Sequence, residues 1–135
     1  MSESVSKTED AVANAARRLV EAFSDFDRDA YFASFHKDAD FIFYNSDVAF
    51  ASRADYETAW SSWVDTGWRV RKCESLNAQI RVLDDRHAVF THEVFTTLDT
   101  SEGAVHTHER ETIIFARYDA SWLAVHEHLS SVPSS

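Results

Sequence analysis

Hydrophobic residues recur at helical spacing in the first part of the chain. Steps of four and three residues separate the apolar positions Val12, Ala16, Leu19, Phe23 and Phe26. Such spacing places them on one face of a helix. Ser6 and Glu9 have the spacing of a capping box, which predicts that the helix starts there.

Two further helices follow in this pattern. Asp27 is a suitable N-cap for a short second helix that carries Tyr31, Phe32 and Phe35 on one face and ends near residues 36–38. Ser52 caps a third helix, which Gly67 ends. Its apolar positions are Tyr56, Trp60, Trp63 and Val64. A strand at 40–44, a turn at 45–47 and a brief partner strand at 48–50 are predicted between these two helices.

From Trp68 onward the period changes to two, which is the period of β-strands. Long strands are predicted at 68–83, 87–98, 104–117 and 122–130. The short polar turns between them predict antiparallel pairing. Helices followed by an antiparallel meander predict an α+β fold, in which a strongly curved sheet packs on three N-terminal helices and encloses a cone. We expect one domain over residues 1–135, with ragged polar ends at about 1–5 and 131–135.

Strand alternation divides the side chains of the sheet between two faces, provided that no bulge intervenes. One face collects five histidines: His92, His106, His108, His126 and His128. The opposite face is apolar with carboxylates between the apolar positions: Thr91, Glu93, Phe95, Glu111, Ile113, Phe115, Leu123, Val125, Glu127 and Leu129. The second face is therefore predicted to line the cone.

Glu93 is the first candidate for proton-transfer chemistry. It is expected in the middle of its strand, where burial would raise its pKa towards values useful to a general acid or base. An ion pair with Arg81 or Arg110 across the sheet is an equally simple explanation. Glu127 is expected near a strand end, in water.

A cone with aromatic walls predicts a pocket for a largely apolar organic molecule. The predicted lining residues are Tyr31, Tyr44, Tyr56, Trp60, Phe95, Glu111, Ile113 and Leu129. Core packing is the alternative explanation for the aromatic residues, because they lie at helical spacing.

The histidine-bearing face suits a homodimer contact, since it is too polar for a core. His92, Arg110, His126 and His128 are its predicted members. A zinc site needs three or four converging ligands. None of the known compact ligand spacings is present, and we expect no metal.

Composition excludes several classes of function. The formal net charge of −10 opposes nucleic-acid binding, which depends on basic residues that neutralise phosphates. Two glycines cannot form the phosphate-binding loops of nucleotide enzymes, so no cofactor is expected. One cysteine, Cys73, allows no internal disulfide, and no apolar run has the length of a membrane span. These observations predict a cytoplasmic protein without a membrane partner.

The end of the chain carries a recognisable pattern. Glu111-Thr112 is followed by Trp122, Val125, His126, His128 and Ser130. It resembles SnoaL-like domains of the nuclear transport factor 2-like and ketosteroid isomerase-like superfamily, and most closely the association domain of calcium/calmodulin-dependent protein kinase II. Asp27–Tyr31 and Leu76-Asn77 extend the similarity towards the N-terminus.

The resemblance implies a cystatin-like cone, but it does not transfer the pocket chemistry of the known branches. The positions of the arginines in the association-domain pocket fall on Glu93, Ile113 and Leu129. The position of the catalytic aspartate of the isomerase branch falls at or next to Phe43, and phenylalanine cannot transfer a proton.

Two functions are compatible with this sequence. One is the binding of a small neutral or cationic organic molecule, with cofactor-free isomerase, dehydratase or hydratase chemistry. The other is a non-catalytic ligand-binding or oligomerisation module.

Overall fold

The structure is a computed structural model that describes residues 3–133, with side chains described from Val5 onward. Three helices and five strands follow one another along the chain. They are α1 (Glu3–Ser24), α2 (Arg28–Ala33), β1 (Phe35–Phe43), α3 (Arg53–Asp65), β2 (Arg69–Val82), β3 (His87–Thr100), β4 (Gly103–Tyr118) and β5 (Ser121–Ser131). Within the described residues, none of the helices combines the length and the apolarity that a membrane span requires.

The predicted α+β architecture is confirmed. The strands form one sheet in the order β1-β5-β4-β3-β2, and the helices cover one of its faces. The predicted meander corresponds to β2–β5, whose neighbours are antiparallel. β1 pairs parallel to β5, which the short-turn argument did not predict because these two strands are distant in sequence. The expected partner strand at 48–50 is reduced to a single bridge between Phe41 and Phe50.

The apolar stripe of α1 packs against the sheet. Val12, Ala16 and Leu19 are each at most 2% exposed. The helix already includes Glu3, the first described residue, so it does not start at the capping-box position Ser6. Phe26 follows the helix with a φ of 57°, and its ring stacks on Trp60 at 5.5 Å.

The second helix is shorter than predicted. It ends at Ala33, and Phe35 already belongs to β1. Phe35 pairs with Ala124 of β5, and the register then shifts before Asp40 pairs with His126. Pairing with a central strand therefore determines the conformation of residues that have a helical pattern in the sequence.

The β3–β4 hairpin determines which side chains face the helices. Thr100 pairs with Gly103, so the loop contains only two residues. His92 consequently lies opposite Glu111, and Glu93 lies opposite Arg110. Because opposite residues share a face, the even-numbered residues of β3 accompany the odd-numbered residues of β4. The sequence prediction placed the odd-numbered residues of β3 on the same face as the odd-numbered residues of β4. Its assignment of the two faces of β3 was therefore reversed.

Candidate functional site

The concave face of the sheet and the helices enclose a cavity of about 280 Å³. Residues from every helix and every strand line it. The lining residues are Leu19, Val20, Phe23, Tyr31, Phe43, Asn45, Tyr56, Trp63, Trp68, Cys73, Val94, Thr96, Leu98, Thr107, Glu109, Glu111, Glu127 and Leu129. Among them are three glutamates, and no lysine or arginine of the described chain contributes.

Four of the eight predicted pocket residues line this cavity, namely Tyr31, Tyr56, Glu111 and Leu129. Tyr44 is not among the lining residues and is 46% exposed. Its hydroxyl donates a hydrogen bond to the lining residue Glu109.

The other three predicted pocket residues lie elsewhere. Trp60 and Ile113 are at most 1% exposed and belong to the packed core, and neither lines the cavity. Phe95 is on the outer face of the sheet, where it is 41% exposed and stacks on His108 at 4.1 Å. Its placement was wrong because the two-residue hairpin reverses the faces of β3.

The expectation that Glu93 points into the cone is wrong for the same reason. Its carboxylate lies on the outer face, where it accepts hydrogen bonds from Asn77 Nδ2 at 2.7 Å and from His108 Nε2 at 2.8 Å. The bonds from Asn77 and His108 hold the pKa of Glu93 below its ordinary value. Neither Arg81 nor Arg110, the two cations that the sequence suggested, is the main partner of this carboxylate.

His92 lies inside the sheet wall and not on the predicted dimer face. Its side chain is 0% exposed, and both ring nitrogens have partners. Nε2 lies 2.7 Å from Oε1 of Glu111, and Nδ1 lies 2.6 Å from Oγ of Ser75. These two contacts fix the orientation of the ring and place a basic group beside Glu111.

Glu127 is the most deeply buried carboxyl group of the cavity, at 3% exposure. It pairs with Phe41 on one side and Ile113 on the other, and both are fully buried. The expectation of a solvated strand end is therefore wrong. Its Oε1 has no hydrogen-bond partner among the described residues.

The carboxyl groups of Glu111 and Glu127 interact, and their pKa values move in opposite directions. Burial raises the pKa of Glu127 well above 4.5, and the charge of Glu111 and a hydrogen bond to it raise it further. Burial opposes ionisation of Glu111 too, but hydrogen bonds from Glu127 and His92 and the charge of His92 outweigh it, and its pKa is lowered. Within this pair Glu111 therefore ionises more readily than Glu127.

Glu109 is the third carboxyl group of the cavity. Tyr44 donates to its Oε2 at 2.7 Å, and Thr107 donates to its Oε1 at 3.2 Å. Burial raises the pKa of Glu109 above its ordinary value, and the charge of Glu111 adds to the increase. The pKa of Tyr44 rises to about 12 through burial and through its bond to Glu109.

Two tyrosines complete the polar part of the cavity. The hydroxyl oxygens of Tyr31 and Tyr56 lie 2.9 Å apart, and the carboxyl group of Glu127, once it is ionised, acts on both through its charge. Burial, together with that charge, raises both pKa values well above 10. Both hydroxyls therefore stay protonated at neutral pH and can act as hydrogen-bond donors.

Cys73 also lines the cavity, but burial raises the pKa of its thiol to about 12. It is not an activated nucleophile, because the thiolate is the reactive form. Among residues 3–133, no three His, Cys, Asp or Glu side chains are placed to hold a metal ion.

The other three predicted residues of the dimer contact, Arg110, His126 and His128, lie outside the cone. His126 Nδ1 is 2.7 Å from Oδ1 of Asp40, and its ring lies 6.3 Å from that of His128. Arg110 pairs in register with Glu93 on the outer face.

Sequence reasoning missed Glu109 and Glu127 as cavity residues and placed His92 on the wrong face. The shared parity of Glu109 and Glu111 in β4 was a sufficient signal for Glu109. His92 required the length of the β3–β4 loop. Burial of Glu127 required the parallel pairing of β1 with β5, which covers that strand on its second edge.

Comparisons with known proteins agree with this fold. A family model described as a SnoaL-like domain matches residues 12–135. A search of curated proteins finds no match to the chain.

Several solved structures are similar in three dimensions. One is a putative calcium/calmodulin-dependent protein kinase II association domain from Xanthomonas campestris, with 22% identity, a TM-score of 0.76, and coverage of 92% of this chain and 87% of that one. A putative scytalone dehydratase from Novosphingobium aromaticivorans has 12% identity, a TM-score of 0.83, and coverage of 100% and 91%. A ketosteroid isomerase-like protein from Erwinia carotovora atroseptica has 14% identity, a TM-score of 0.77, and coverage of 92% and 95%. At these identities the similarity establishes the fold alone.

Proposed function

The chain belongs to the SnoaL-like domain family, and we propose that it is a cofactor-independent proton-transfer enzyme of the isomerase or lyase type. Its substrate is a small, largely apolar organic molecule, neutral or cationic, that binds in the cone. The observation that carries the proposal is the coupled pair Glu111 and Glu127. Two carboxyl groups with pKa values driven apart supply a base and an acid in one cavity.

The roles follow from the protonation states. Glu111, ionised and held by His92, removes a proton from a carbon atom next to a polarised group of the substrate. Glu127, protonated, donates its proton to the oxygen on which negative charge develops. The two carboxyl groups interact in one cavity, and the proton taken up by Glu111 passes to Glu127, which restores the starting state.

The dimensions and lining of the cavity support a small substrate. A volume of about 280 Å³ lies just below the range of about 300–1,000 Å³ for small-molecule sites. Aromatic side chains of Phe23, Trp63 and Trp68 form part of its wall. Phe43, at or next to the position where the resemblance puts the catalytic aspartate of the isomerase branch, also lines the cavity. The carboxyl groups of β4 and β5 supply the acid-base groups instead.

Proton transfer can be tested without knowing the natural substrate. Cyclic ketones and enones small enough for the cavity are incubated with the protein in deuterated buffer, and exchange of the hydrogens next to the carbonyl is followed by NMR. A parallel panel of β-hydroxy ketones is followed by the ultraviolet absorbance of the enone formed on dehydration. We expect turnover that Glu111→Gln and Glu127→Gln abolish.

Glu93→Gln is the matched control, because it changes a glutamate on the opposite face of the same sheet. Turnover should be unchanged in this variant. Exchange that survives Glu111→Gln in a folded protein would contradict the proposal. Binding of panel compounds without any turnover would favour the alternative, a non-catalytic ligand-binding module.

We also propose a cytoplasmic location. The single cysteine, Cys73, is unpaired and lies in the cavity wall. Proteins of oxidising compartments more often carry disulfides.

A further inference from the structure

We infer that the ligand of the cone carries a basic nitrogen, and that its ammonium group pairs with Glu127. This inference rests on the proposed function only in that the cone is the ligand site. It names amines as a ligand class for which Glu127 is the counter-ion and no longer the proton-donating acid. The observations behind it are the unpartnered oxygen of Glu127, the acidic lining of the cavity, and its aromatic wall.

Most hydroxyl hydrogens of the cavity lining are already engaged. Its other donors are one tyrosine hydroxyl, the amide of Asn45 and the indole N–H groups of Trp63 and Trp68. The hydroxyl of Thr107 is used by Glu109, and that of Thr96 by the sulfur of Cys73. Tyr44 donates to Glu109, and Tyr31 and Tyr56 bond to each other. The carboxyl oxygens of the three glutamates therefore face a cavity in which most hydroxyl hydrogens are already engaged.

The Oε1 atom of Glu127 is the clearest unfilled position. It is buried, lacks a hydrogen-bond partner among the described residues, and belongs to a residue that lines the cavity. A buried acceptor without a donor costs free energy, which a ligand can recover by supplying a donor. An ammonium group brings three donors and no acceptor, which suits this site better than a carbonyl or a carboxylate.

Charge and ring geometry favour the same ligand. The lining contains Glu109, Glu111 and Glu127 but no lysine or arginine of the described chain. His92, which lies behind Glu111 in the wall, offsets one of these charges at most. The faces of aromatic rings attract cations, and Phe23, Tyr31 and Trp68 stand among the lining residues.

Binding of an ammonium ion should release a proton. The free ligand is protonated in water at neutral pH, and burial together with the neighbouring Glu111 favours the protonated form of Glu127 in the empty cavity. When the two groups meet, the opposite charge stabilises the carboxylate. Glu127 then gives its proton to the solvent and an ion pair forms. The groups that face Glu127 from the surrounding elements are Glu111 and Glu109 of β4, Tyr31 of α2 and Tyr56 of α3.

Three compounds of nearly equal shape test this inference by isothermal titration calorimetry: benzylamine, benzyl alcohol and benzoate. We expect benzylamine to bind at least about tenfold more tightly than benzyl alcohol, and benzoate to bind most weakly, because a charge-assisted pair is stronger than a neutral hydrogen bond. Repeating the titration in buffers with different ionisation enthalpies should show proton release. Affinity for benzylamine should increase between pH 5 and pH 8.

Glu127→Gln should remove both the preference for the amine and the proton release, since an amide cannot ionise. Glu109→Gln changes a second glutamate of the cavity. Circular dichroism verifies that Glu127→Gln and Glu109→Gln are folded. Glu93→Gln should bind benzylamine as the unmodified protein does. Equal affinity for benzylamine and benzyl alcohol, or benzylamine binding that Glu127→Gln leaves unchanged, would overturn the inference.

The failure of this inference is distinguishable from the failure of the proposed function. If neutral ketones exchange hydrogen in a Glu111-dependent way while benzylamine binds no better than the alcohol, only the amine preference is wrong. If none of the three compounds binds and no ketone exchanges, both proposals are wrong.

Discussion

Glu111 and Glu127 show how neighbours separate two glutamates that share a cavity. Both are affected by burial, which favours the protonated form of a carboxyl group. Only Glu111 has His92 at 2.7 Å, and this contact directs the negative charge to it. The charge on Glu111 in turn keeps the proton on Glu127.

Glu127→Gln should stabilise the folded protein at alkaline pH. A folded-state pKa above 4.5 means that the contribution of Glu127 to stability is fully present below pH 4.5 and is lost as pH rises through the folded-state value. Glutamine avoids that loss. We expect a gain of about 1 kcal/mol or more in the free energy of unfolding at pH 8 and a smaller gain at pH 5. Thermal unfolding of both proteins at the two pH values tests this. A stability gain that is smaller at pH 8 than at pH 5 would contradict it.

His92→Gln should make Glu111 a weaker acid. Without the imidazole, the carboxylate loses a hydrogen bond and a nearby charge, so its pKa rises. The acidic limb of the pH profile of ketone exchange should move to higher pH. Ser75→Ala is the matched control, because it removes the second partner of the ring and retains the contact of His92 with Glu111. An unchanged profile in a folded His92→Gln variant would show that His92 does not hold Glu111 in its ionised form.

At the scale of elements, α3 positions two large rings of the aromatic core. Tyr56 and Trp60 are buried at 3% and 1% exposure, and Tyr56 forms part of the cavity wall. The helix starts at a conventional N-cap, where Ser52 Oγ accepts a hydrogen bond from the backbone N–H of Asp55 at 3.2 Å. Arg53 ties its first turn to β1 by donating to the carbonyl oxygen of Phe35 at 2.9 Å.

Ser52→Ala should lower the free energy of unfolding by about 1 kcal/mol, because the N–H of Asp55 loses its acceptor. Ser62→Ala, at an exposed position in the interior of the same helix, is the control and should be neutral or slightly stabilising. Urea unfolding measures both variants. Equal effects of the two substitutions would show that the cap does not contribute.

At the scale of the whole molecule, the outer face of the sheet is the surface for which we propose a homodimer contact. Ile42, Leu76 and Phe95 on this face are 41–45% exposed. His108, Arg110, His126 and His128 lie between them, whereas His92 does not take part. Exposed apolar side chains among polar ones are typical of protein–protein interfaces.

Phe95→Asp should therefore dissociate the dimer, because it places a charge in the apolar part of the contact. Light scattering at micromolar concentration measures the mass of the variant and of the unmodified protein. Tyr118→Asp, which changes an equally exposed aromatic residue at the end of β4, is the control and should remain dimeric. A monomer of the unmodified protein under these conditions would refute the proposal. Because the net charge of the chain is −10, we propose that neither the monomer nor the dimer binds nucleic acid.

The sequence alone was sufficient for the class of the fold. The spacing of apolar residues in α1 and α3 and the alternation from Trp68 onward are local properties, and they predicted helices first and an antiparallel meander afterwards. The same local periodicity led to the prediction that Tyr31, Tyr56, Glu111 and Leu129 face the cone, and these four line the cavity. Each of these predictions depends on the period of one element and on no contact distant in sequence.

The tertiary structure decided the chemistry of the site. A loop of two residues between Thr100 and Gly103 reverses the faces of β3, so that His92 enters the wall and Glu93 leaves it. Parallel pairing of β1 with β5 buries Glu127 between Phe41 and Ile113. Because side chains alternate with a period of two, a difference of one residue in pairing exchanges the two faces of a strand. Periodicity shows that a strand has two faces, and only the register between strands determines which of them lines the cavity.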